Sequence, residues 1–527
     1  MNKLRFVFVI LGLFLIVPAL QILNLNSQKD RFIIAGKSKS TVMQKIDIPR
    51  KKILDRNNNE LASSILRATL IFKNEEEKRL AQKFAQENGK KIFLSSNRRL
   101  YFESSLSNKF IQDIKNFCEC KIIKEDIFRR YYPYGSIVSP LLGFAGIDGG
   151  LEGLEKSFDS LLSSKQIKET FLRDAKQKKV KGNLENFNNN YTASGLKLTI
   201  DISLQHLLFN ELKKSISYAR AKGGSAIAMN AKNGEILALV SFPSFNPNNS
   251  QRVAVRNKAI DDLFEPGSLI KPLTVAGAIS NNIITKESLI NTNPGFITIS
   301  GFKKTEAGGK NFGIISPKQI ISKSSQIGIA KIAIAMHQDK IIENLYNFGI
   351  GEDLDINWLG FISGNLINKD KLFDIDKASI GYGYLMHTNL LQIARAYSVF
   401  ANNGFRVEPK IIYGSETVLK KVISADVANY VLESLRETIT DGTALNLKDS
   451  PIEIAGKTGT TEKYIVGEGY VSGKYISSFA SIFPYDDPKF IVIVSIDEPD
   501  PDNYFAGSVA APFVKNISNQ IISFGRE

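Results

Sequence analysis

Ser268 and Lys271 are the first pair of residues in the sequence that could do chemistry. Pro266-Gly267 precedes them and predicts a turn, so Ser268 should lie at or near the start of a helix with Lys271 on the same face. A serine hydroxyl is a weak nucleophile until a base takes its proton, and a lysine can be that base when burial or another cation lowers its pKa. The pair alone is weak evidence, because Ser-x-x-Lys occurs by chance in most long proteins.

A second motif, Gly456-Lys457-Thr458-Gly459-Thr460, follows Ile452-Glu453-Ile454-Ala455 and predicts a strand. Gly456 and Gly459 carry no side-chain bulk, so the backbone of a ligand could approach closely, and an extended peptide could add to the edge of such a strand. Lys457 would supply positive charge for a substrate carboxylate. A phosphate-binding loop is disfavoured, because its upstream glycine is lacking and a strand follows instead of a helix.

The third motif, Ser324-Ser325-Gln326, lies between the other two and predicts a short polar turn. The Ser324 hydroxyl could relay a proton, and the Gln326 carboxamide could hold a substrate amide. Ser-x-x-Lys, then Ser-x-amide, then Lys-Thr-Gly is the order of motifs in penicillin-binding proteins and serine β-lactamases. Together the three make a chance match improbable.

Composition excludes several other classes of protein. A chain of 527 residues with 43% hydrophobic content can bury the cores of two or more domains, so it is not globally disordered. The net charge of +15 suits an anionic partner such as a membrane surface, but no nucleic-acid motif accompanies it, and we expect no nucleic-acid partner. The three histidines are far apart, which disfavours a Ser-His-Asp hydrolase.

Cys118 and Cys120 are the only two cysteines of the sequence. A disulfide across one intervening residue would be strained, so we expect two ordinary thiols. Two cysteines also supply too few ligands for a metal, so a metal site is improbable. No cofactor is expected.

The N-terminal segment predicts a membrane anchor. Lys3 and Arg5 precede an apolar run from Phe6 to Leu20 that continues less strictly to Leu25, about 30 Å of helix at 1.5 Å per residue. The positive charges predict a cytoplasmic N-terminus and an exported body, in a single-pass protein of the cytoplasmic (inner) membrane. The alternative is a cleaved signal peptide with a site at Val17-Pro18-Ala19, but the apolar stretch runs past that site.

A polar stretch, Asn183–Gly195, predicts a linker between two domains. The predicted organisation is an anchor over residues 1–25, a mixed α+β module over 26–190 and a larger domain over 191–527. Strands at both ends of the larger domain and helices between them predict an α+β fold with one antiparallel sheet closed by distant segments. The predicted elements are strands at Thr69–Phe72, Arg99–Phe102 and Leu196–Ile200, a helix opened by Asp201, a hairpin of Ser225–Met229 and Glu235–Ser241, helices from about 268 to 445, strands at Phe479–Phe483 and Phe490–Ile496, and a helical tail from about Ser508.

Over nearly its full length the chain resembles the class B penicillin-binding proteins. Arg50–Ala62 looks like the family's Arg-Gly-x-Ile-x-Asp-Arg-x-Gly box with two glycines replaced, and Arg129–Pro133 and Gly150–Glu155 resemble the other boxes of its non-catalytic pedestal. Several further stretches resemble the division-specific branch of the family: Gly224-Ser225-Ala226, Asn233-Gly234-Glu235, Pro243–Asn249, Arg256–Ile260, Gly381–Tyr384 and Gly507–Pro512.

The resemblance implies a pedestal over 26–190 and a transpeptidase domain over 191–527, with a five-stranded antiparallel sheet flanked by helices as in serine β-lactamases. It implies that Ser268 is acylated by a stem peptide ending in D-Ala-D-Ala, with Lys271 as base and Ser324 as proton shuttle. The remaining implied site residues are Gln326 and Lys457 as catalytic groups and Thr458, Gly459 and Thr460 as substrate-binding residues, with backbone N–H groups of Ser268 and Thr460 as the oxyanion hole.

The resemblance also implies partners. These are peptidoglycan stem peptides and lipid-linked precursor strands, β-lactams as inhibitors, a SEDS-type (FtsW-like) glycosyltransferase and other divisome membrane proteins. A D,D-carboxypeptidase side activity is compatible with the same acyl-enzyme.

The sequence departs from the family at Gln326, where the family has asparagine, and a displacement of about 1 Å can cost about 100-fold in rate. Ser363-Gly364-Asn365 spells the motif better, but no family box surrounds it. Three alternatives stay open: the elongation-specific paralogue, a catalytically weak scaffold that recruits a glycosyltransferase, and a β-lactam-hydrolysing or β-lactam-sensing relative, which the long pedestal disfavours.

Overall fold

The computed structural model describes residues 2–104, 106–146, 149–163, 165–172, 195–249, 256–354, 362–367, 371–465 and 467–524. The chain divides into two compact units, one formed by Met1–Lys51 and Ser163–Ser194 and the other by Lys52–Leu162 and Gly195–Glu527. The predicted linker at Asn183–Gly195 lies outside the described residues except for Gly195. The predicted domain boundaries at residues 25 and 190 stay predictions.

The first unit contains the predicted apolar helix. The helix spans Asn2–Ser27, and its 22 residues Phe6–Ser27 have a mean hydropathy of 2.8. By length and composition these residues can cross a membrane, since 22 residues extend for about 33 Å. The unit also holds a helix at Lys29–Ser40 and two antiparallel strands, Thr41–Ile48 and Lys165–Leu172.

The N-terminal part of the second unit is a sheet with two helices packed on it. Helix Glu75–Glu87 begins at Asn74 and helix Asn108–Cys118 begins at Ser107, and both cap residues accept a hydrogen bond from the backbone three residues on. The predicted strand Arg99–Phe102 is confirmed, and the one predicted at Thr69–Phe72 is the end of a longer strand, Glu60–Ile71. The strands are Ile53–Leu54, Glu60–Ile71, Ile92–Ser96, Arg99–Phe102, Ile123–Tyr131 and Leu196–Lys197, and short helices follow at Ser139–Leu142, Gly153–Ser157 and Asp159–Leu162.

The prediction of two ordinary thiols is wrong. Cys118 and Cys120 form a disulfide, with their Cα atoms 5.1 Å apart. That separation lies within the usual range for disulfides. Glu119 between them adopts a left-handed conformation with φ of 47°, which ends the helix and turns the second cysteine back toward the first. One intervening residue is therefore enough when it takes this conformation.

The larger part of the second unit is built on one antiparallel five-stranded sheet. Its strands are labelled here in chain order as β1 (Gly223–Asn230), β2 (Ile236–Phe242), β3 (Ala455–Ile465), β4 (Gly469–Phe483) and β5 (Phe490–Asp497). They lie side by side in the order β2-β1-β5-β4-β3, so β3 is an edge strand. The early hairpin and the late strands thus close one sheet, which confirms the predicted α+β fold.

Helices cover both faces of the sheet. Those before and between the strands are Ile202–Tyr218, Lys258–Asp261, Lys271–Ser280, Pro317–Ser322, Gln326–Ala335, Gln338–Phe348, Asp374–Gly381, Leu390–Ala401 and Ala425–Thr440, and those after are Ala506–Val509 and Ala511–Phe524. Short strand pairs lie among the central helices: Ile290–Asn291 with Ile314–Ile315, Phe296–Ile299 with Phe302–Thr305, Asn365–Leu366 with Met386–His387, and Phe405–Val407 with Leu419–Lys421.

The alternation of side chains along the strands divides the core in two. Ile227 of β1 and Ile493 of β5 pack with the central helices, whereas Ala228 and Val492 pack against Ile202–Tyr218 and Ala511–Phe524. Because both faces are buried, these strands read as continuous apolar runs in the sequence.

Most predicted elements of this domain are confirmed, including the hairpin of β1 and β2 and the helix that begins at Asp201, whose carboxylate accepts from Ser203 N and Leu204 N. The predicted strand Leu196–Ile200 is too long. It ends at Lys197, because Thr199 N donates instead to the Ile411 carbonyl.

Asp55 links the turn after strand Ile53–Leu54 to the start of helix Ile202–Tyr218. It is fully buried, and its carboxylate accepts hydrogen bonds from Asn57 N at 2.8 Å, Asn59 N at 2.7 Å, the Asn59 side chain at 2.9 Å and Ile202 N at 3.2 Å. A single carboxylate therefore satisfies three backbone donors from two distant segments.

We expect Asp55→Ala to destabilise this unit by about 3 kcal/mol, because the buried N–H groups lose their acceptor. Thermal unfolding of the full-length protein in detergent measures the loss. Asp55→Asn keeps one acceptor oxygen and should lose less. An Asp55→Ala protein that unfolds at the wild-type temperature would contradict this account.

Candidate active site

The turn before Ser268 places its hydroxyl at a helix start. Gly267 has φ of +54°, and a Cβ there would lie 2.4 Å from Thr461 Cγ2, so only glycine fits. Ser268 follows in a short 3₁₀ turn, Gly267–Ile270, which runs directly into helix Lys271–Ser280. The predicted position of Ser268 is confirmed.

Lys271 is fully buried at the start of that helix. Its backbone N–H donates to the Ser268 carbonyl, and its Nζ donates to the Ser324 carbonyl at 2.6 Å and to Ser324 Oγ at 3.2 Å. Burial lowers the pKa of Lys271 to about 7, and the nearby Glu306 carboxylate partly offsets that effect. A large fraction of this amine is therefore neutral at neutral pH, as a base must be.

The Ser324-Ser325-Gln326 motif forms the predicted turn, between helices Pro317–Ser322 and Gln326–Ala335. Ser324 has a left-handed backbone with φ of 60°, and Ser325 Oγ caps the second helix by accepting from Gly328 N at 2.9 Å. Gln326 is half-buried in the first position of that helix.

Glu306 is a site residue that the sequence did not single out. It is buried, and its carboxylate accepts from Ser325 Oγ at 2.5 Å and from the backbone N–H groups of Gln326 and Ile327 at 2.6 and 3.3 Å. An isolated acidic residue between two motifs carries no periodic signal in the sequence, so only the fold reveals this contact.

Lys457 is the lysine of the Gly456–Thr460 motif, which lies on strand β3. Lys457 is fully buried, and its Nζ donates to the Thr458 carbonyl at 3.0 Å. Burial, and then the neighbouring Lys271 amine, lower the pKa of Lys457 well below its ordinary value. The predicted role of Lys457 as the positive charge for a substrate carboxylate stays a prediction.

Two threonine hydroxyls of β3 lie at the active-site cavity. Thr458 Oγ1 lies 2.6 Å from Thr443 Oγ1, and Thr460 Oγ1 accepts from Ala506 N at 3.0 Å. Thr443, which follows helix Ala425–Thr440, was missed in the sequence because it belongs to no motif there. These hydroxyls can donate to an anionic group in the cavity.

A cavity of about 780 Å³ brings the three motifs together. Lys271 and Lys457 are fully buried and are not among the lining residues, but Lys271 donates hydrogen bonds to Ser324, which lines the cavity. Five of the eight predicted site residues line the cavity: Ser268, Ser324, Gln326, Thr458 and Thr460.

The two glycines of β3 are required for packing within the protein. A Cβ at Gly459 would lie 3.0 Å from the Pro266 carbonyl oxygen and 2.9 Å from Leu269 Cγ, and one at Gly456 would lie 2.6 Å from the Phe479 ring. Gly459 thus lets the strand press against the turn that carries Ser268. The sequence had explained both glycines by the approach of a ligand.

The alternative motif Ser363-Gly364-Asn365 does not line the cavity. Ser363 Oγ donates to the Asp353 carboxylate, and Asn365 Oδ1 lies 3.0 Å from His387 Nδ1. The structure therefore brings Ser324 and Gln326, and not this motif, to Ser268.

Aromatic side chains form one wall of the cavity. Tyr475, Tyr504 and Phe505 are stacked, with ring centroids 3.7 and 4.6 Å apart in successive pairs. Tyr384 also lines the cavity and meets Tyr470 edge to face at 5.8 Å. The wall gives the site an apolar surface beside its hydroxyl groups.

Comparison with known proteins agrees with this geometry. The model of the penicillin binding protein transpeptidase domain matches residues 224–519. A peptidoglycan D,D-transpeptidase FtsI from Buchnera aphidicola subsp. Schizaphis graminum is 34% identical over 402 residues, which cover 75% of this chain and 69% of the relative. The FtsI of Escherichia coli K12 is 31% identical over 405 residues, 75% of this chain and 67% of the relative.

Among solved structures, penicillin-binding protein 3 of Mycobacterium tuberculosis complexed with aztreonam superposes with a TM-score of 0.69. The match covers 92% of this chain and 97% of that chain at 23% identity. At that identity the likeness concerns the fold alone.

The lowered pKa of Lys271 makes its burial costly to stability. The ordinary value of 10.5 falls to about 7 in the folded chain, so the cost is absent above about pH 10.5, grows as the pH falls, and is complete below about 7. We expect Lys271→Met to raise the unfolding temperature at pH 6 but not at pH 11, with a maximal gain of up to about 5 kcal/mol. Thermal unfolding measured across pH tests this.

The exposed Lys213 on helix Ile202–Tyr218 offers the matched control. Lys213→Met should change stability by the same small amount at every pH. A Lys271→Met protein whose gain does not depend on pH would show that the amine is not desolvated as described.

Proposed function

Because the chain belongs to the penicillin-binding protein transpeptidase family, we propose that it is a class B peptidoglycan D,D-transpeptidase that cross-links stem peptides through an acyl-enzyme on Ser268. The observation that carries this proposal is the buried Lys271 amine, with its pKa near 7, at the foot of the helix that Ser268 begins. A weak nucleophile and a base matched to neutral pH are the two requirements of the acylation step.

In the acylation step, neutral Lys271 takes the proton of the Ser268 hydroxyl as Ser268 Oγ attacks the carbonyl carbon of the penultimate D-Ala. The C–N bond to the terminal D-Ala breaks, and the proton passes through Ser324 Oγ to the leaving amine. An amine of a neighbouring stem peptide then attacks the acyl-enzyme, loses its proton to the same relay, and returns the hydroxyl to Ser268. The hydrogen bond between Lys271 Nζ and Ser324 Oγ, at 3.2 Å, supports this route.

The edge position of β3 supports binding of the stem peptide as an added strand. The hydroxyls of Thr458 and Thr460 would hold the terminal carboxylate, with Thr443 supporting Thr458. The negative charge of that carboxylate would favour the protonated form of Lys457. The backbone N–H groups of Ser268 and Thr460 would form the oxyanion hole, a kind of donor that contributes about 3 kcal/mol to the transition state.

Gln326 keeps a carboxamide at the cavity despite its extra methylene. Its backbone N–H is fixed by Glu306 at 2.6 Å, so the side chain starts from a defined position. This favours a working site over a catalytically weak scaffold. Gln326 would hold the amide of the donor peptide.

The apolar helix Phe6–Ser27 supports anchoring in the cytoplasmic membrane, with a cytoplasmic N-terminus and the transpeptidase domain outside. The FtsI relatives support a role in division, where a SEDS-type glycosyltransferase and other divisome membrane proteins would be partners.

Fluorescent penicillin tests the chemistry. We expect the full-length protein in membranes to be labelled covalently and Ser268→Ala to abolish the band, because the drug acylates the same oxygen as the peptide. Ser363→Ala, in the motif outside the cavity, should label normally. Label on Ser268→Ala protein would contradict the proposal, and a band that decays within minutes would favour a hydrolase.

Depletion in the native host tests the division role. Cells that lack the protein should elongate without septa and form filaments, because septal cross-linking fails while side-wall growth continues. Expression of the wild-type chain should restore septa, and Ser268→Ala should not. Rounded cells would instead assign the chain to elongation.

A further inference from the structure

The active-site cavity contains a buried carboxylate to which the proposed reaction assigns no step. Glu306 is 2% exposed, directly precedes the 3₁₀ turn Ala307–Gly309 and lines the cavity. Its Oε1 accepts from Ser325 Oγ and Ile327 N, and its Oε2 accepts from Gln326 N. Three donors from three consecutive residues therefore converge on one side chain, which fixes the turn that begins at Ser324.

Lys271 contacts the same turn at Ser324, one residue before the first residue that Glu306 contacts. Lys271 and Glu306 together thus contact four consecutive residues, 324–327. The Glu306 charge raises the pKa of Lys271 against the effect of burial. The Lys457 amine of β3 also interacts electrostatically with Lys271, and Lys310, Lys323 and Glu462 line the cavity.

We propose that Glu306 is a positioning residue of the transpeptidation reaction: it holds the Ser324–Gln326 turn against Lys271 and supplies the negative charge that stabilises Lys271 while it carries the Ser268 proton. This inference rests on the proposed role of Lys271 as base. The physical reason is that an ammonium formed in a buried site needs a compensating negative charge, which the Lys457 amine cannot supply in either protonation state.

The test is the pH dependence of acylation. We expect the rate at which fluorescent penicillin labels the full-length protein to rise with pH to a plateau, with its midpoint near about 7, where Lys271 becomes neutral. Glu306→Gln removes the charge, so the midpoint should fall by about one pH unit and the plateau by about 10-fold or more. Glu306→Asp keeps the charge on a shorter side chain, so it should lower the plateau while its midpoint stays near that of wild type.

Two variants separate charge from hydrogen bonding. Ser325→Ala removes one donor to Glu306 and the cap on Gly328 N, so it should slow labelling without moving the midpoint. Glu433→Gln removes the same charge from a carboxylate that pairs with Lys318 at 2.7 Å and lies outside the cavity, and its whole profile should match wild type.

The proposal is overturned if folded Glu306→Gln protein keeps the wild-type midpoint, or if Glu306→Asp moves the midpoint as far as Glu306→Gln does. If Glu306→Gln does not fold, Glu306→Asp decides alone, since a wild-type plateau in that variant removes the positioning role. Lys271→Ala that keeps the wild-type profile would instead overturn the assignment of Lys271 as base, and this inference with it.

Discussion

The desolvation of the Lys271 amine is the constraint on which the rest of the structure depends. An amine with 0% exposure cannot easily hold a proton, so it becomes a base near neutral pH, but its donors still require acceptors. The Ser324 carbonyl and hydroxyl provide them. Ser324 does so from a left-handed backbone with φ of 60°, in the turn between helices Pro317–Ser322 and Gln326–Ala335. The hydrogen bonds of the buried Lys271 amine thus help to fix the position of the Ser324–Gln326 turn.

The candidate site lies at the edge strand β3 of the sheet. An edge strand has one free side for an incoming peptide, and the alternation of its side chains separates the two tasks of the motif. Thr458 and Thr460 line the cavity, whereas Lys457 is buried and Gly459 packs against the turn that carries Ser268. Gly459 is what allows the close approach, because any Cβ would meet the Pro266 carbonyl. The residues proposed to bind the substrate therefore lie directly beside the turn that carries Ser268.

Sequence reasoning succeeded where the signal was local and failed where contacts join distant segments. The turn before Ser268, the cap at Asp201 and the β1–β2 hairpin each have a short, physically defined pattern, and each was predicted. Glu306 meets Ser325 across 19 residues of chain, and Thr443 meets Thr458 across 15, so neither has a local signature. The disulfide was missed for a different reason, since it depends on the left-handed backbone of Glu119, a conformation uncommon for a residue with a side chain.

In the proposed mechanism the two buried lysines, Lys271 and Lys457, would also link proton binding to substrate binding. Lys271 lowers the pKa of Lys457, so in the free protein a proton on one amine disfavours a proton on the other, with the Glu306 carboxylate nearest to balance the first. In the proposed complex the substrate carboxylate adds a second negative charge beside β3, which favours a proton on Lys457. That proton would in turn disfavour one on Lys271. In the proposed mechanism, thermodynamic linkage would therefore let a substrate carboxylate bound at Thr458 and Thr460 favour the neutral form of Lys271.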